Sequence, residues 1–245
     1  MPEPVNQIPR LAVDAMRGHG PFLLPWRPRC LGCGEPVAAS LDLCGDCLQR
    51  LPWNLHRCPR CALPLPADAP VATCRACRRA PPPVAATVAP LLYAPPVDRW
   101  QPRFKFHHDL SAGRLLAGLL AASCAMAPCP DAIVPVPLHA SRLRQRGYDQ
   151  ALELARHVAR VLRLSLRPAL LSRIRATAPQ SELDAAARRA NLRAAFRVPA
   201  GLAPPAHVAL VDDVMTTGAT LHAAATALHA AGVARVDAWV CARVP

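Results

Sequence analysis

The chain is almost without lysine. Lys105 is the single lysine among 29 basic residues, so arginine carries nearly all of a net charge of +13. Aromatic residues are scarce as well, at 4%. Only Trp53 lies between the cysteine pairs described below, which counts against extensive base stacking in that region. No G-x-x-x-x-G-K-[ST] run occurs, which makes a P-loop nucleotide site a poor reading. The first residues carry Glu3 and scattered prolines instead of a basic stretch and an apolar core, which argues against a cleavable secretory signal. The uncharged run from Leu115 to Cys129 is too short for a membrane span and is followed by Pro130 and Asp131. It is expected to form a buried helix.

Cysteine and proline, by contrast, are plentiful, at 11 and 29 residues. Eight cysteines form four C-x-x-C pairs: Cys30/Cys33, Cys44/Cys47, Cys58/Cys61 and Cys74/Cys77. The gaps between pairs are ten, ten and twelve residues. Two thiolates three apart on a tight turn can grip one tetrahedral ion, so four pairs predict two zinc sites of four cysteines each. Pairing first with second and third with fourth fits this spacing, and so does alternating pairing. A disulfide framework is the competing reading; an odd cysteine count and the missing signal disfavour it. Free thiols of this kind suit a reducing, cytoplasmic setting. Cys124, Cys129 and Cys241 fall outside the pattern.

Composition divides the chain. An N-terminal segment (1–22) precedes a small double zinc ribbon (23–80), too poor in aliphatic runs to fold without metal. Pro81-Pro82-Pro83 reads as a stiff spacer, and an α/β domain fills 84–245. Within it, Val84 to Tyr93 reads as a strand or hairpin, and Leu110 to Ala125 as a helix. Ala132 to Val136 reads as a strand, Asp149 to Leu164 as an amphipathic helix, and Leu166 to Arg173 as an edge strand. Ser181 to Ala195 should be helical. Strand 207–211, helix 220–231 and strand Val236 to Ala242 would complete a βαβ unit. Such alternation predicts a parallel sheet with helices on both faces.

The most informative stretch runs from His207 to Leu221. An apolar strand is followed by Asp212 and Asp213, then by a small-residue turn, Thr216-Thr217-Gly218-Ala219-Thr220, opening a helix. Free N–H groups, hydroxyls and the positive helix end suit a phosphate monoester. The acids would repel that phosphate, so they are expected to meet sugar hydroxyls or Mg²⁺ on the same ligand. A phosphate cradle beside an acid pair describes a ribose 5-phosphate site. The bland reading is an ordinary βα turn with an exposed acid pair.

This segment resembles the phosphoribosyl-diphosphate (PRPP) signature of type I phosphoribosyltransferases: an apolar strand, two acids, a variable pair, then T-G-x-T. The resemblance implies ribose hydroxyls on Asp212 and Asp213 and the 5-phosphate on Thr216 to Thr220. Two zinc ribbons before such a domain resemble the ComF/GntX family. Further segments support this: Asp131 to His139 (V-P-V-P-L-H), Arg142 to Gln150 (R-x-R-x-R-G-[FY]-[ND]-Q), Pro179-Gln180 with Arg188, Asn191 and Phe196, and Phe104 to His107 (K-[FY]-H). Pro102 departs from the pattern, since relatives run helical there. The resemblance implies a phosphoribosyltransferase-like fold and a pyrophosphate loop at Pro137, Leu138 and His139. Arg142 and Arg146 suit diphosphate oxygens, because a guanidinium fork matches them; an ordinary solvated basic helix is the alternative. No general base stands out and no acceptor can be read. The family's setting implies DNA uptake, with single-stranded DNA and a competence helicase as partners. A regulatory ribosyl site in a nucleic-acid-binding or scaffold protein is the second reading. The basic ribbon residues Arg50, Arg57, Arg60, Arg75, Arg78 and Arg79 favour polyanions.

Overall fold

The computed structural model describes residues 28–38, 41–66, 73–175 and 195–245. Almost all of the helix expected over 181–195 lies outside them, as do Pro179, Gln180, Arg188 and Asn191.

The cysteine-rich half repeats one local design. In the first knuckle Gly34 N donates to Cys30 O, and Cys30 N to Glu35 O, both at 2.8 Å. In the second, Ala62 N donates to Cys58 O at 2.8 Å and Cys58 N to Leu63 O at 2.9 Å. Both turns close through a left-handed residue, Gly34 at φ 81° and Ala62 at φ 53°. Each second cysteine pair opens a short helix, α1 (Gly45–Gln49) and α2 (Arg75–Arg79). Cys44 and Cys74 sit at the N-caps, where their sulphurs accept from Cys47 N and Cys77 N. The thiols thus do the capping that Ser or Asp does elsewhere.

The second half contains, in order, β1 (Thr87–Val88), β2 (Leu91–Leu92), α3 (Val97–His107), α4 (Leu110–Cys124) and β3 (Ala132–Pro135). Next come α5 (Ala140–Arg146), α6 (Gln150–Leu162), β4 (Ser172–Arg173) and β5 (Phe196–Arg197). β6 (His207–Met215), α7 (Ala219–Ala230) and β7 (Arg235–Arg243) complete it. β3, β6 and β7 pair in that order, and β1 and β2 lie in tandem along the far edge of β7. Every pairing in this sheet is parallel. The α/β expectation with a parallel sheet and flanking helices therefore holds.

Several details differ from expectation. Residues 84–93 form no hairpin: both short strands run parallel to β7, with Ala89-Pro90 between them. The edge strand expected at 166–173 is a single bridge from Leu166 to Ile133, then a 3-10 turn and β4, which pairs with β5 instead. β6 does not stop at Val211 but carries both acids within it. Helix α3 runs straight through Pro102.

Hydrophobic alternation explains the layers. Val208 and Leu210 of β6, with Val236, Ala238 and Val240 of β7, pack on the side of α7. Ala209, Val211, Trp239 and Cys241 face the opposite side, with α4 and α6. On α6 the buried positions Leu154, Ala155, Val158 and Ala159 recur at helical spacing. Asp109 and Asp149 cap α4 and α6 through Ala112 N and Leu152 N, each cap worth about 1 kcal/mol. The first ribbon joins this core: Cys30, Val37, Leu41, Leu43 and Leu51 are buried together with Leu91, Val97 and Trp100. An antiparallel bridge between Trp53 and Leu91 fastens the junction, with Asn54 N bonded to Pro90 O at 2.7 Å and Leu92 N to Pro52 O at 2.8 Å.

Gly113 sets how closely α3 and α4 approach. A Cβ there would lie 2.4 Å from Phe104 Cε2, and Phe104 is only 1% exposed. Gly113→Ala gains about 1 kcal/mol of helix propensity. The displaced ring costs more, roughly 1–3 kcal/mol. A lower urea midpoint with unchanged slope is expected; an unchanged or higher midpoint would show that the ring can yield.

Candidate functional site

The eight paired cysteines gather into two clusters. Cys30, Cys33, Cys44 and Cys47 form one, and Cys58, Cys61, Cys74 and Cys77 the other, with sulphurs within 4.8 Å of one another in each. Pairing is therefore sequential. All eleven cysteines are free thiols. The geometry tests the metal directly: a Zn–S bond of about 2.3 Å places tetrahedral sulphurs about 3.8 Å apart. Cys33 and Cys44 stand at 3.8 Å, Cys61 and Cys74 at 3.7 Å. Both clusters fit zinc.

Electrostatics agree. Burial pushes the Cys30 thiol up, but N–H groups of Cys44, Cys33 and Gly32 outweigh it and bring it down to about 6. Cys58 is likewise buried yet drawn down to about 7 by Cys74, Cys61 and Arg60 N–H groups. Cys47 is pushed up to about 12 by burial and then by the neighbouring thiols, and Cys77 rises for the same reasons. Without a cation, one thiolate in each cluster forms readily and its neighbours resist. A divalent ion removes that conflict.

The second site lies at the carboxyl ends of β3 and β6. The strand changes face at its two acids: Val211 and Val214 both pack toward α4 and α6, while Met215 packs toward α7. The ladder to β7 pairs residues 207–212 and then Val214 and Met215. At this irregularity the side chains serve the backbone. Asp212 Oδ1 accepts from Asp213 N and Asp213 Oδ1 from Val214 N, both at 2.8 Å. Asp213 is 6% exposed, and its Oδ2 lies 3.1 Å from Lys105 Nζ. Burial, then the Asp213 charge, hold the Asp212 carboxyl well above the usual range.

Beyond β6 the turn delivers what its composition suggested. Gly218 is the N-cap of α7 at φ 78° with no side-chain cap. The positive φ favours glycine, and a Cβ there would also have to displace Met215 Cε, which would lie at 2.5 Å. Thr216 and Thr217 are exposed, and Ala219 and Thr220 open the helix. Ala219 N, the first of α7, donates to Thr217 Oγ1 at 3.4 Å, and the next N–H groups of this turn have no partner within the helix.

The loop after β3 lies beside this turn because β3 and β6 are parallel neighbours. Leu138 N bonds Asp149 Oδ2 at 3.1 Å, which orders the Pro137-Leu138 stretch. His139 is the N-cap of α5, its Nδ1 2.8 Å from Ser141 Oγ. Arg142 and Arg146 of α5 line a cleft of about 380 Å³ with Lys105, Phe106, His108 and Gln145. Arg146 lies over the Phe106 ring at 5.3 Å and bonds Gln150 Oε1 at 3.0 Å. The cleft is cationic and adjoins the acid pair through Lys105.

Lys105, the chain's single lysine and part of the K-F-H element, drew no site role from the sequence, yet the structure sets it against Asp213. Arg243, bonded to Cys61 O and Met215 O, drew none either. Not all ribbon arginines are exposed: Arg57 turns inward to Asn54 O, and burial lowers its pKa. Glu153 pairs with Arg156 on the surface of α6.

Comparison with known proteins matches this layout. Residues 21–79 match the family model of the double zinc ribbon domain. DNA utilization protein YhgH of Salmonella typhi is 34% identical over 221 residues, covering 87% of this chain and 96% of that protein. The Escherichia coli K12 protein of the same name is 33% identical over the same shares. Competence protein F of Haemophilus influenzae is 34% identical, over 87% of this chain and 90% of that one. The chain belongs to the family of these proteins, the ComF/GntX family. Among the described residues no helix is long and apolar enough to cross a membrane.

Two outcomes follow. The purified protein is expected to hold two zinc ions, and Cys44→Ser to release one while the Cys58 cluster keeps the other; metal analysis giving one ion or none in the parent would sink this. Asp212→Asn keeps the acceptor for Asp213 N but removes a carboxylate whose ionisation is opposed by burial and by the Asp213 charge. A raised folded pKa means that stability is full below the unfolded value of about 4 and falls as pH rises. Asp212→Asn should therefore raise stability at pH 7 by on the order of 1 kcal/mol, read as a higher melting temperature, with the gap closing near pH 4. A lower melting temperature at pH 7 would contradict the charge argument.

Proposed function

We propose that this protein binds PRPP in the manner of a type I phosphoribosyltransferase and acts in the handling of incoming DNA. The observation that carries the first part is one cleft end holding an acid pair, an uncapped helix N-terminus and a cationic cavity side by side. A ligand with a ribose diol, a 5-phosphate and a diphosphate needs these three surfaces. The Thr216 to Thr220 turn takes the 5-phosphate through N–H groups and the helix dipole. Asp212 and Asp213 accept from the ribose hydroxyls. Arg142 and Arg146 meet the diphosphate, with Pro137, Leu138 and His139 forming its loop.

Mg²⁺ would supply further charge for a departing diphosphate. Each acid already serves a backbone N–H and Asp213 also serves Lys105, so the ion would be held largely by the ligand's own oxygens. If C1 loses diphosphate, the arginines stabilise the leaving group. The second part rests on relatives whose names concern DNA utilization and competence, and it implies a cytoplasmic protein with a competence helicase as candidate partner.

A second reading has an observation of its own. Arg75, Arg78 and Arg79 are all exposed on α2, a basic stripe suited to single-stranded DNA. On this reading the ribosyl site is regulatory.

Calorimetry separates the two. PRPP with Mg²⁺ should bind the parent, and the double variant Asp212→Asn with Asp213→Asn should lose about a hundredfold or more, at roughly 1.5–3 kcal/mol per charge-assisted bond. Equal binding by that variant would return the acids to a structural role. Single-stranded DNA should bind with a log–log salt slope of roughly −0.7 per phosphate, flattened by replacing the three α2 arginines. Salt-independent or absent binding would remove the nucleic-acid reading.

A further inference from the structure

The second metal knuckle turns its backbone toward the α/β half. Four consecutive carbonyls each accept a bond from beyond the knuckle. Pro59 O accepts from Thr87 N at 2.9 Å and Arg60 O from Thr87 Oγ1 at 2.5 Å. Cys61 O accepts from Arg243 Nε at 3.0 Å and Ala62 O from Asn54 Nδ2 at 2.9 Å. Two ligands of the second cluster, Cys58 and Cys61, belong to this turn. In the first knuckle the corresponding side-chain donor is local, from Arg29 Nη1 to Gly34 O at 3.0 Å.

Arg243 is the far-reaching member. It closes β7, is 8% exposed, and stays charged because guanidinium does so even when buried. Its Nη1 donates to Met215 O at 3.3 Å and also to Val244 O. Val244 N donates to the same Met215 oxygen at 3.0 Å. Met215 is the last residue of β6 and immediately precedes Thr216. Its methyl group lies against Gly218, beside the His222 ring. One planar fork therefore joins the carbonyl of a cysteine ligand to the residue that launches the phosphate turn.

We propose that Arg243 is a positioning residue that ties the second metal centre to the phosphate-binding turn. A bound ion fixes the 58–61 knuckle. Cys61 O then orients the guanidinium, and the guanidinium holds Met215 O and the start of the 216–220 turn. Coupling between binding sites is reciprocal. Ligand at the turn must therefore steady the second metal site, and that site alone. This inference rests on the ribosyl-phosphate reading above.

The test uses the full-length, zinc-loaded protein under chelator challenge. Cysteine alkylation is followed residue by residue by peptide mass spectrometry, with and without saturating PRPP and Mg²⁺. PRPP is expected to slow alkylation of Cys58, Cys61, Cys74 and Cys77 by about five- to tenfold and to leave Cys30, Cys33, Cys44 and Cys47 unchanged. Arg243→Met should keep both ions at rest, bind PRPP about tenfold more weakly and lose the protection. Arg243→Lys, which keeps the charge without the fork, should regain part of it. Equal slowing at both clusters, no slowing in a parent that binds PRPP, or full protection in Arg243→Met would each overturn the inference. The parent comparison decides the matter even if Arg243→Met does not fold. Failure of the parent to bind PRPP by calorimetry overturns the ribosyl-phosphate reading and this inference together, whereas binding without selective protection overturns only the role of Arg243.

Discussion

Sulphur crowding is the constraint on which the rest depends. Four sulphurs within 4.8 Å cannot all ionise unless a cation sits among them. The two clusters are therefore more than ornaments on an α/β domain. The first holds Cys30 in place, and with it Val37, Leu41, Leu43 and Leu51, which share a core with Trp100 of α3. Helix α3 in turn carries Lys105 to Asp213. The first ribbon is thus part of the floor under the helix that carries Lys105 to the acid pair.

At the candidate site, regular structure is given up for chemistry. A strand in steady alternation would place one acid on each face of the sheet. β6 changes face there, and the acids' own oxygens satisfy the local N–H groups. The arrangement gathers negative charge at a half-buried rim, and Asp212 resists ionisation as a result. Lys105 offsets part of the cost.

What could be read from sequence was what is local. Cysteine spacing, the acid pair and the T-G-x-T turn are each defined within about a dozen residues, and the structure brings each together as a unit. Strand β6 was expected to end at Val211 because acids read as turn residues; their side-chain bonds to the next N–H let the strand continue to Met215. Val84 to Tyr93 reads as a strand or hairpin, but its division into β1 and β2, both parallel to β7, was not legible, since that pairing depends on a strand about 150 residues away. Lys105 with Asp213, and Arg243 with Cys61, are likewise joined across the length of the chain, and no spacing rule reports such partners. Pro102 was a departure from the family pattern that the helix absorbs.

The prolines at 81–83 look like a place to divide the molecule, and packing denies it. Cutting there would strip Leu91 and Trp100 of their ribbon neighbours and leave Arg243 without its Cys61 acceptor. Neither fragment would keep a closed surface. The composition boundary and the folding boundary are different lines, and a lineage that exchanged its ribbons for another module would have to rebuild the floor beneath α3 as well.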